Sequence, residues 1–400
     1  MRQSLDFLEN ELCYGCGCCA AACKQKALKM EINQYGFLRP NLDKEKCNGC
    51  GICKQVCPSV NPPQLKDVRS DKPFAVWAGN SALRVSASSG GAALVLSLSA
   101  IQNGYSVVGA AYNNNFRCVE HVVADSAEEI FSFKGSKYAQ SNFSTAIEKS
   151  INGSERKYIV FGTPCQISGA RNIINKKNLD QNYLLVDFFC HGVPSYFLWG
   201  SFIDQISSKI GSIKHLELRN KFEGWHSYQV FSIGDKGLYT KPFSETAFSR
   251  FYLSNYCLQQ SCYQCKYGKF SAADLRLGDY WGKEFANDIL GTSIAVPLTK
   301  KGSDLIEQTK QLEYQSMPVN SVSSSQDIKR LTIRKPADND SVLEKLSKGS
   351  SLNQVYKEHL RKKYISVGIR QKLYKYARKI LPNDIIQILR GVKNFIGGQQ

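Results

Sequence analysis

The sequence predicts an α/β fold: a mixed, largely parallel sheet flanked by helices, with a small α+β ferredoxin-like module in front and a helical, basic C-terminal tail behind. Three observations carry that expectation. Strand-like and helix-like segments alternate from Phe74 onward, as in a parallel sheet with covered faces. Two of those strands run straight into a cysteine, at the sheet edge where α/β proteins bind ligands. Ahead of them, eight cysteines between Cys13 and Cys57 write one spacing twice.

Cys13, Cys16, Cys19 and Cys23 are separated by three, three and four positions, and Cys47, Cys50, Cys53 and Cys57 repeat those steps 34 residues later. This is the ferredoxin run C-x2-C-x2-C-x3-C, in which the fourth cysteine serves the other cluster. The expected ligands are therefore Cys13, Cys16, Cys19 and Cys57 for one 4Fe-4S cluster, and Cys47, Cys50, Cys53 and Cys23 for the other. Three closely spaced thiolates wrap one face of a cube, so each loop borrows the fourth from its twin. Thiolates also suit zinc or copper(I), but zinc sites pair C-x2-C with a distant second pair. No secretory signal opens the sequence, which argues against disulfides and for a cytoplasmic, reducing compartment. Cys18 breaks the repeat and reads as a spare thiol, and Lys24 replaces the proline often found after the first run.

The length of 400 residues fits a module over 1–62, a large domain over 74–315 and a C-terminal region over 316–400. No run of eighteen apolar residues predicts a membrane span. The net charge of +18 is uneven: from residue 355 onward eleven basic side chains face two acidic ones, a local excess of +9. Such a tail suits an acidic partner such as a ferredoxin, or contact with an anionic membrane surface through amphipathic segments around Leu360 to Phe395. Nucleic acid is not an expected partner.

Within the module, Ala27 to Leu42 reads as a hairpin turning near Gly36, and the proline-bearing stretch 61–73 as a linker. Phe74 to Ala78 reads as a strand. Ser88, Ser89, Gly90 and Gly91 then open a helix over Ala92 to Gln102, where backbone amides favour an anion. Strands follow over Tyr105 to Tyr112 and Cys118 to Ala124, and Ser126 with Glu129 makes a capping box. Tyr158 to Gly162 leads into Thr163-Pro164-Cys165-Gln166, and Tyr183 to Phe189 into Cys190-His191-Gly192 before a helix over Tyr196 to Lys209. Residues 213–240 are strand-rich, a helix is expected over Phe243 to Leu258, and a strand over Asp274 to Leu277.

Six cysteines lie outside the module. Cys262 and Cys265 form a C-x2-C pair, while Cys165 and Cys190 sit singly at strand ends. Four such thiolates suffice for a third cluster, with Cys257 able to replace one of them, but a C-x2-C also holds zinc or acts as a redox dithiol. Cys118 reads as a small core residue.

Residues 162–167, 190–195, 261–265 and 277–282, with Ser89-Gly90-Gly91 and Gly135-Ser136-Lys137-Tyr138, resemble the marker segments of the beta-subunit family of coenzyme F420-reducing hydrogenases and dehydrogenases. The likeness covers roughly residues 1–300, in the family's order. It implies an oxidoreductase that binds FAD beside a 4Fe-4S cluster and acts on a small-molecule substrate. Versions of this length also resemble proteins of surface-polysaccharide synthesis. It implies Cys165, Cys190, Cys262 and Cys265 as the third cluster's ligands. Ser89, Gly90, Gly91, Ser136, Lys137, Tyr138, Thr163 and Gln166 become FAD contacts, and His191 and Lys137 candidates for the general acid. The alternative reading is an electron-relay subunit without its own substrate. One departure stands out: Gln259 and Gln260 precede Ser261 where an arginine is expected.

Overall fold

The structure, a computed structural model, describes residues 12–69, 72–153, 155–326 and 333–365. The chain divides into two compact units, Met1–Leu352 and Asn353–Gln400.

In the first unit, helix α1 (Cys18–Ala21) leads to the antiparallel hairpin of β1 (Leu28–Ile32) and β2 (Leu38–Leu42), and then to α2 (Ile52–Val56). The stretch expected to be a linker is pinned. Its strand β3 (Lys66–Asp67) pairs with residues 270–271, and Val68 is wholly buried.

Next come β4 (Phe74–Ala78), α3 (Ser81–Ser86), α4 (Ala92–Gln102), β5 (Tyr105–Tyr112) and β6 (Val119–Ala124). Then follow α5 (Ala127–Ile130), β7 (Ser141–Asn142), α6 (Ser144–Asn152), β8 (Lys157–Phe161), α7 (Pro164–Lys176), β9 (Tyr183–Phe188) and α8 (Tyr196–Ile210). A separate antiparallel sheet of β10 (Ile213–Asn220), β11 (Gln229–Gly234) and β12 (Gly237–Pro242) precedes α9 (Ala247–Leu253). The chain re-enters the main sheet with β13 (Phe270–Ser271) alongside, then β14 (Leu275–Asp279), β15 (Ser293–Pro297), α10 (Lys300–Gln308) and β16 (Leu312–Ser316). Short helices α11 (Ser321–Ser325) and α12 (Asn339–Ser347) follow. In the second unit, residues through His359 and 361–365 are helical. Most of the basic tail expected from the sequence, including its second amphipathic segment, lies outside the described residues.

Among the described residues the main sheet has nine strands in the order β16-β4-β15-β14-β9-β8-β5-β6-β7. The four central strands β14, β9, β8 and β5 are parallel neighbours; antiparallel pairings extend both sides. The sheet is thus mixed, with the expected parallel character concentrated where the cysteines emerge. Alternation sorts the side chains between the faces. Val107, Ile159 and Val186 pack with α4, whereas Val108, Val160 and Leu185 pack with α6 and α7. The second face also receives Cys16, Cys18, Ala21 and Val56, so the cysteine module is packed onto the sheet's own core.

A second expectation is corrected. The helix expected over Phe243 to Leu258 stops at Leu253, because Asn255 and Cys257 take positive φ of 66° and 57°. The chain turns there so that Leu258 bridges Pro194, with Ser195 N donating to Cys257 O at 2.8 Å and Gln259 N to Val193 O at 3.0 Å. That turn delivers the C-x2-C pair to the strand end carrying Cys190.

His121 on β6 is buried, its ring edge-on to Phe143 at 4.8 Å and its Nε2 within 3.0 Å of Phe161 O. Burial pulls its pKa down to about 4, well below the ordinary value of 6.5. The unfolded chain then binds one more proton than the folded chain between those values, so stability falls as pH drops from 6.5 toward 4. His121→Gln is expected to flatten that segment of a denaturation-versus-pH profile relative to the parent chain, by at most about 1.4 kcal/mol per pH unit.

Candidate redox centre

The two cysteine runs fold alike because their glycines do. Gly15 and Gly17 have φ of 60° and 80°, and Gly49 and Gly51, 34 positions later, have 73° and 72°. These left-handed turns, which glycine adopts without strain, fold the loop back on its thiols. Cys13, Cys16, Cys19 and Cys57 line one cavity together with Tyr14, Pro40 and Pro58. The fourth cysteine of the second run therefore stands with three from the first. Burial and then Cys50, Cys23 and Cys47 raise the Cys53 thiol, which places the other four in one group. Cys18 is wholly buried; its Sγ reaches Gln166 O at 3.6 Å and leans on Gly169, a packing role.

The third set is gathered from three elements. Cys165 opens α7 behind β8, Cys190 follows β9, and Cys262 and Cys265 lie in and after a 3-10 turn. Burial raises the Cys165 thiol, with Cys16, Cys265 and Cys190 adding to it. Burial likewise pushes Cys190 up to about 12, with Cys265 as the charged neighbour, and raises Cys262, which feels Cys265 and Cys190. Thiols that penalise one another's ionisation in this way are suited to cations placed between them. All the donors are soft sulfur, as an iron-sulfur cluster requires. The first set rings a cavity. Cys257 stands apart: it is wholly buried, the charge acting on it is Asp340, and its amide donates to Asn339 Oδ1 at 2.7 Å.

The first and third sets meet at a seam. The Tyr14 hydroxyl is raised by burial and then by Cys265, Cys165, Cys262 and Cys57, so it lies between them. Its ring stands edge-on to Tyr267 at 5.3 Å, and Tyr267 donates to Pro58 O at 2.8 Å. Cys13 O accepts from Arg39 Nη1 at 2.5 Å, Gln259 Nε2 at 2.9 Å and Ser261 Oγ at 3.1 Å. Gln259, the residue found where an arginine was expected, thus ties the module to the C-x2-C loop. Gly15 is tightly enclosed there: an added Cβ meets Gln140 Nε2 at 2.3 Å and Leu38 O at 2.4 Å. Gly15→Ala is therefore expected to cost about 1–3 kcal/mol from backbone strain, before the clash is counted, and to loosen the seam. Thermal unfolding of the anaerobic protein together with an iron count checks it.

Beneath the third set, Arg276 on β14 and Asp187 on β9 form a wholly buried, bidentate pair, both contacts at 2.7 Å. The remaining guanidinium N–H groups reach Tyr267 O, Gly268 O and Phe270 O at 3.0–3.1 Å, which fixes the backbone after Cys265. Sequence reading missed this pair, since a lone Arg and Asp 89 positions apart give no local signal.

The residues expected at FAD fall into two places. Thr163 and Gln166 form the capping box of α7, and Thr163 Oγ1 lies 3.2 Å from Cys165 Sγ, so as placed they serve the cysteine. Ser89, Gly90, Gly91, Ser136, Lys137 and Tyr138 surround a second corner. Gly91 caps α4, and Ser136 N donates to Ser88 Oγ at 2.9 Å. Gly135, with φ 86°, has open space before it, whereas Gly90 is closed against Val76 O and Ser293 N. Lys137 Nζ donates among four carbonyls, those of Ser132, Phe133, Lys134 and Gly135, at 2.8–3.3 Å, and burial pulls its pKa down to about 7.

This corner holds residues the sequence reading did not name as contacts. Arg219 is 7% exposed and donates to Asp279 Oδ2 at 2.7 Å; its guanidinium lies 4.6 Å from the Tyr228 ring and 5.7 Å from that of Trp281. Trp281 stacks on Trp225 at 4.6 Å. Arg219 Nε and Nη2 and Trp225 Nε1 are buried and form no hydrogen bond of ordinary geometry among the described residues. Lys221 Nζ donates to Ser89 O at 2.8 Å. From Tyr138 an aromatic path continues to Tyr252 at 5.4 Å and His191 at 4.8 Å, next to Cys190. His191 Nε2 lies 3.1 Å from Tyr252 O. His226, exposed, and Trp225 flank the same corner.

Residues 155–319 match the family described as the C terminus of the coenzyme F420 hydrogenase/dehydrogenase beta subunit, and residues 12–61 match the 4Fe-4S dicluster domain. No curated protein matches the chain. Among solved structures, a chain of the F420-reducing [NiFe] hydrogenase complex from Methanosarcina barkeri is similar at 19% identity and a TM-score of 0.47, over 72% of this chain and 91% of that one.

Proposed function

We propose that this chain, which matches the C terminus of the coenzyme F420 hydrogenase/dehydrogenase beta subunit over residues 155–319 and the 4Fe-4S dicluster domain over residues 12–61, is an iron-sulfur, FAD-dependent enzyme that reduces or oxidises a small-molecule substrate. Cys13, Cys16, Cys19 and Cys57 hold one 4Fe-4S cluster, Cys23, Cys47, Cys50 and Cys53 a second, and Cys165, Cys190, Cys262 and Cys265 a third. FAD, when bound, supplies the exchange between one-electron and hydride chemistry.

The corner of Ser89, Gly91, Ser136 and Tyr138 is assigned to that cofactor because three buried donors there, Arg219 Nε and Nη2 beside the Tyr138 hydroxyl and Trp225 Nε1, form no hydrogen bond of ordinary geometry among the described residues. A ligand bearing anionic or carbonyl oxygens satisfies such groups, and leaving them bare costs about 1–3 kcal/mol each. That is the observation carrying the flavin reading. Tyr138, Tyr252 and His191 join this corner to Cys190, so the residues that would hold the cofactor and the third thiolate set lie along one aromatic path. His191 or Lys137 then supplies the proton; Lys137 must first leave its carbonyls to do so.

The test is anaerobic turnover without any partner subunit, supplied with FAD and reduced ferredoxin. The substrate screen starts from small-molecule precursors of surface polysaccharides, the class the resemblance implies. Bound flavin reduced by ferredoxin and reoxidised by one of these substrates supports the enzyme. A chain that takes up electrons but binds no flavin is instead the relay subunit of a larger complex.

A further inference from the structure

The thiolate sets are not equally placed, and the difference gives the chain a direction. Cys16 and Cys19 are buried, and Cys16 acts on Cys165, so the first set faces the large domain. Cys50, in the other set, is the exposed one of the fifteen cysteines. Charge follows the same division. The neighbours of Cys13, Cys16, Cys19 and Cys57 are uncharged: Leu12, Tyr14, Gly15, Gly17, Cys18, Ala20, Val56 and Pro58. In the outer set, Lys24 follows Cys23, Lys46 precedes Cys47 and Lys54 follows Cys53, and all three lysines are exposed. Lys26 and Lys44 are exposed beside them, while the acidic residues of the same segments are Asp43 and Glu45. Lys46 is paired to Asp43 at 2.7 Å and Lys26 to Glu148, which leaves the patch net positive.

We infer that this ring of lysines around Cys23, Cys47, Cys50 and Cys53 is the docking face for a small acidic one-electron carrier protein. The inference rests on the cluster assignment above and deepens it by placing the entry point. Each encounter transfers one electron: the carrier is oxidised by one equivalent as the cysteine module is reduced by one, with no bond made and no proton moved. Opposite charge draws the carrier in and orients it, raising the association rate by about one to three powers of ten at low ionic strength. The uncharged inner set, packed against α7, is reached afterwards.

The experiment mixes anaerobic holoprotein with a reduced, strongly acidic two-iron ferredoxin, and separately with photoreduced 5-deazariboflavin, a small neutral reductant. Bleaching of the cluster absorbance is followed, and iron is counted on every variant. Lys24→Glu/Lys46→Glu/Lys54→Glu is expected to slow the ferredoxin reaction about tenfold or more at low salt, with the difference fading near 1 M salt where screening is about 3 Å. Reduction by 5-deazariboflavin should stay unchanged. The Lys→Gln triple should fall between, and it decides the matter if the Glu triple loses iron. Ferredoxin rates equal to the parent's would overturn the inference. So would equal slowing by both reductants with iron intact, since the lysines would then act on the clusters and not on the carrier. A chain that shows the lysine dependence yet binds no flavin keeps this docking face and loses the FAD reading.

Discussion

Cys57→Ala is expected to remove about four of roughly twelve irons per chain and to abolish the same spectral species that Cys13→Ala abolishes, not the one lost in Cys47→Ala. The reason is the exchange of fourth ligands. Cys57 belongs by sequence to the second run, yet it shares a cavity with Cys13, Cys16 and Cys19. Burial pushes its thiol up to about 11, with Cys16 the first charged neighbour to add to it. Low-temperature EPR of the reduced variants reads the comparison. If Cys57→Ala instead matches Cys47→Ala, each run holds its own cluster and the seam through Tyr14 loses its meaning.

Arg276→Met is expected to be the most damaging single change outside the cysteines, costing about 3–5 kcal/mol, because it leaves Asp187 charged, buried and unpaired. Both side chains are wholly buried. The same change frees the carbonyls of Tyr267, Gly268 and Phe270, so the Cys262–Cys265 loop should release its iron as well. The double change Arg276→Met/Asp187→Leu removes both charges and should recover part of the lost stability. It should not restore the iron, since the carbonyl ties are still missing. Anaerobic thermal unfolding beside an iron count separates the two effects. Equal loss in single and double variants would show that the salt bridge itself carries little.

Most of the central fold was legible because its signals are local. The hairpin of β1 and β2, strands β4, β5 and β9, helix α4 and the capping box of α5 follow from alternation, glycine placement and Ser126 with Glu129. The cysteine repeat was legible for the same reason: a spacing is a property of the chain alone. What was not legible depends on distant contact. The end of α9 is set by pairing of residues 257–259 with 193–195, which no local propensity announces. Strand β15, Ser-Ile-Ala-Val-Pro, is buried throughout and so lacks alternation. The corner around Arg219 is assembled from residues 60 positions apart, and its indole stack joins Trp225 to Trp281 only in the folded chain. Gln259 read as a departure from a family pattern; its place against Cys13 O gives it a structural task.

The most direct measurement is a metal and sulfide analysis of the anoxically purified chain. Three sets of four thiolates predict about twelve irons and as many acid-labile sulfides, without zinc. About eight irons, or zinc in their place, would contradict a third cluster at Cys165, Cys190, Cys262 and Cys265 and break the route proposed from the lysine face to the flavin corner.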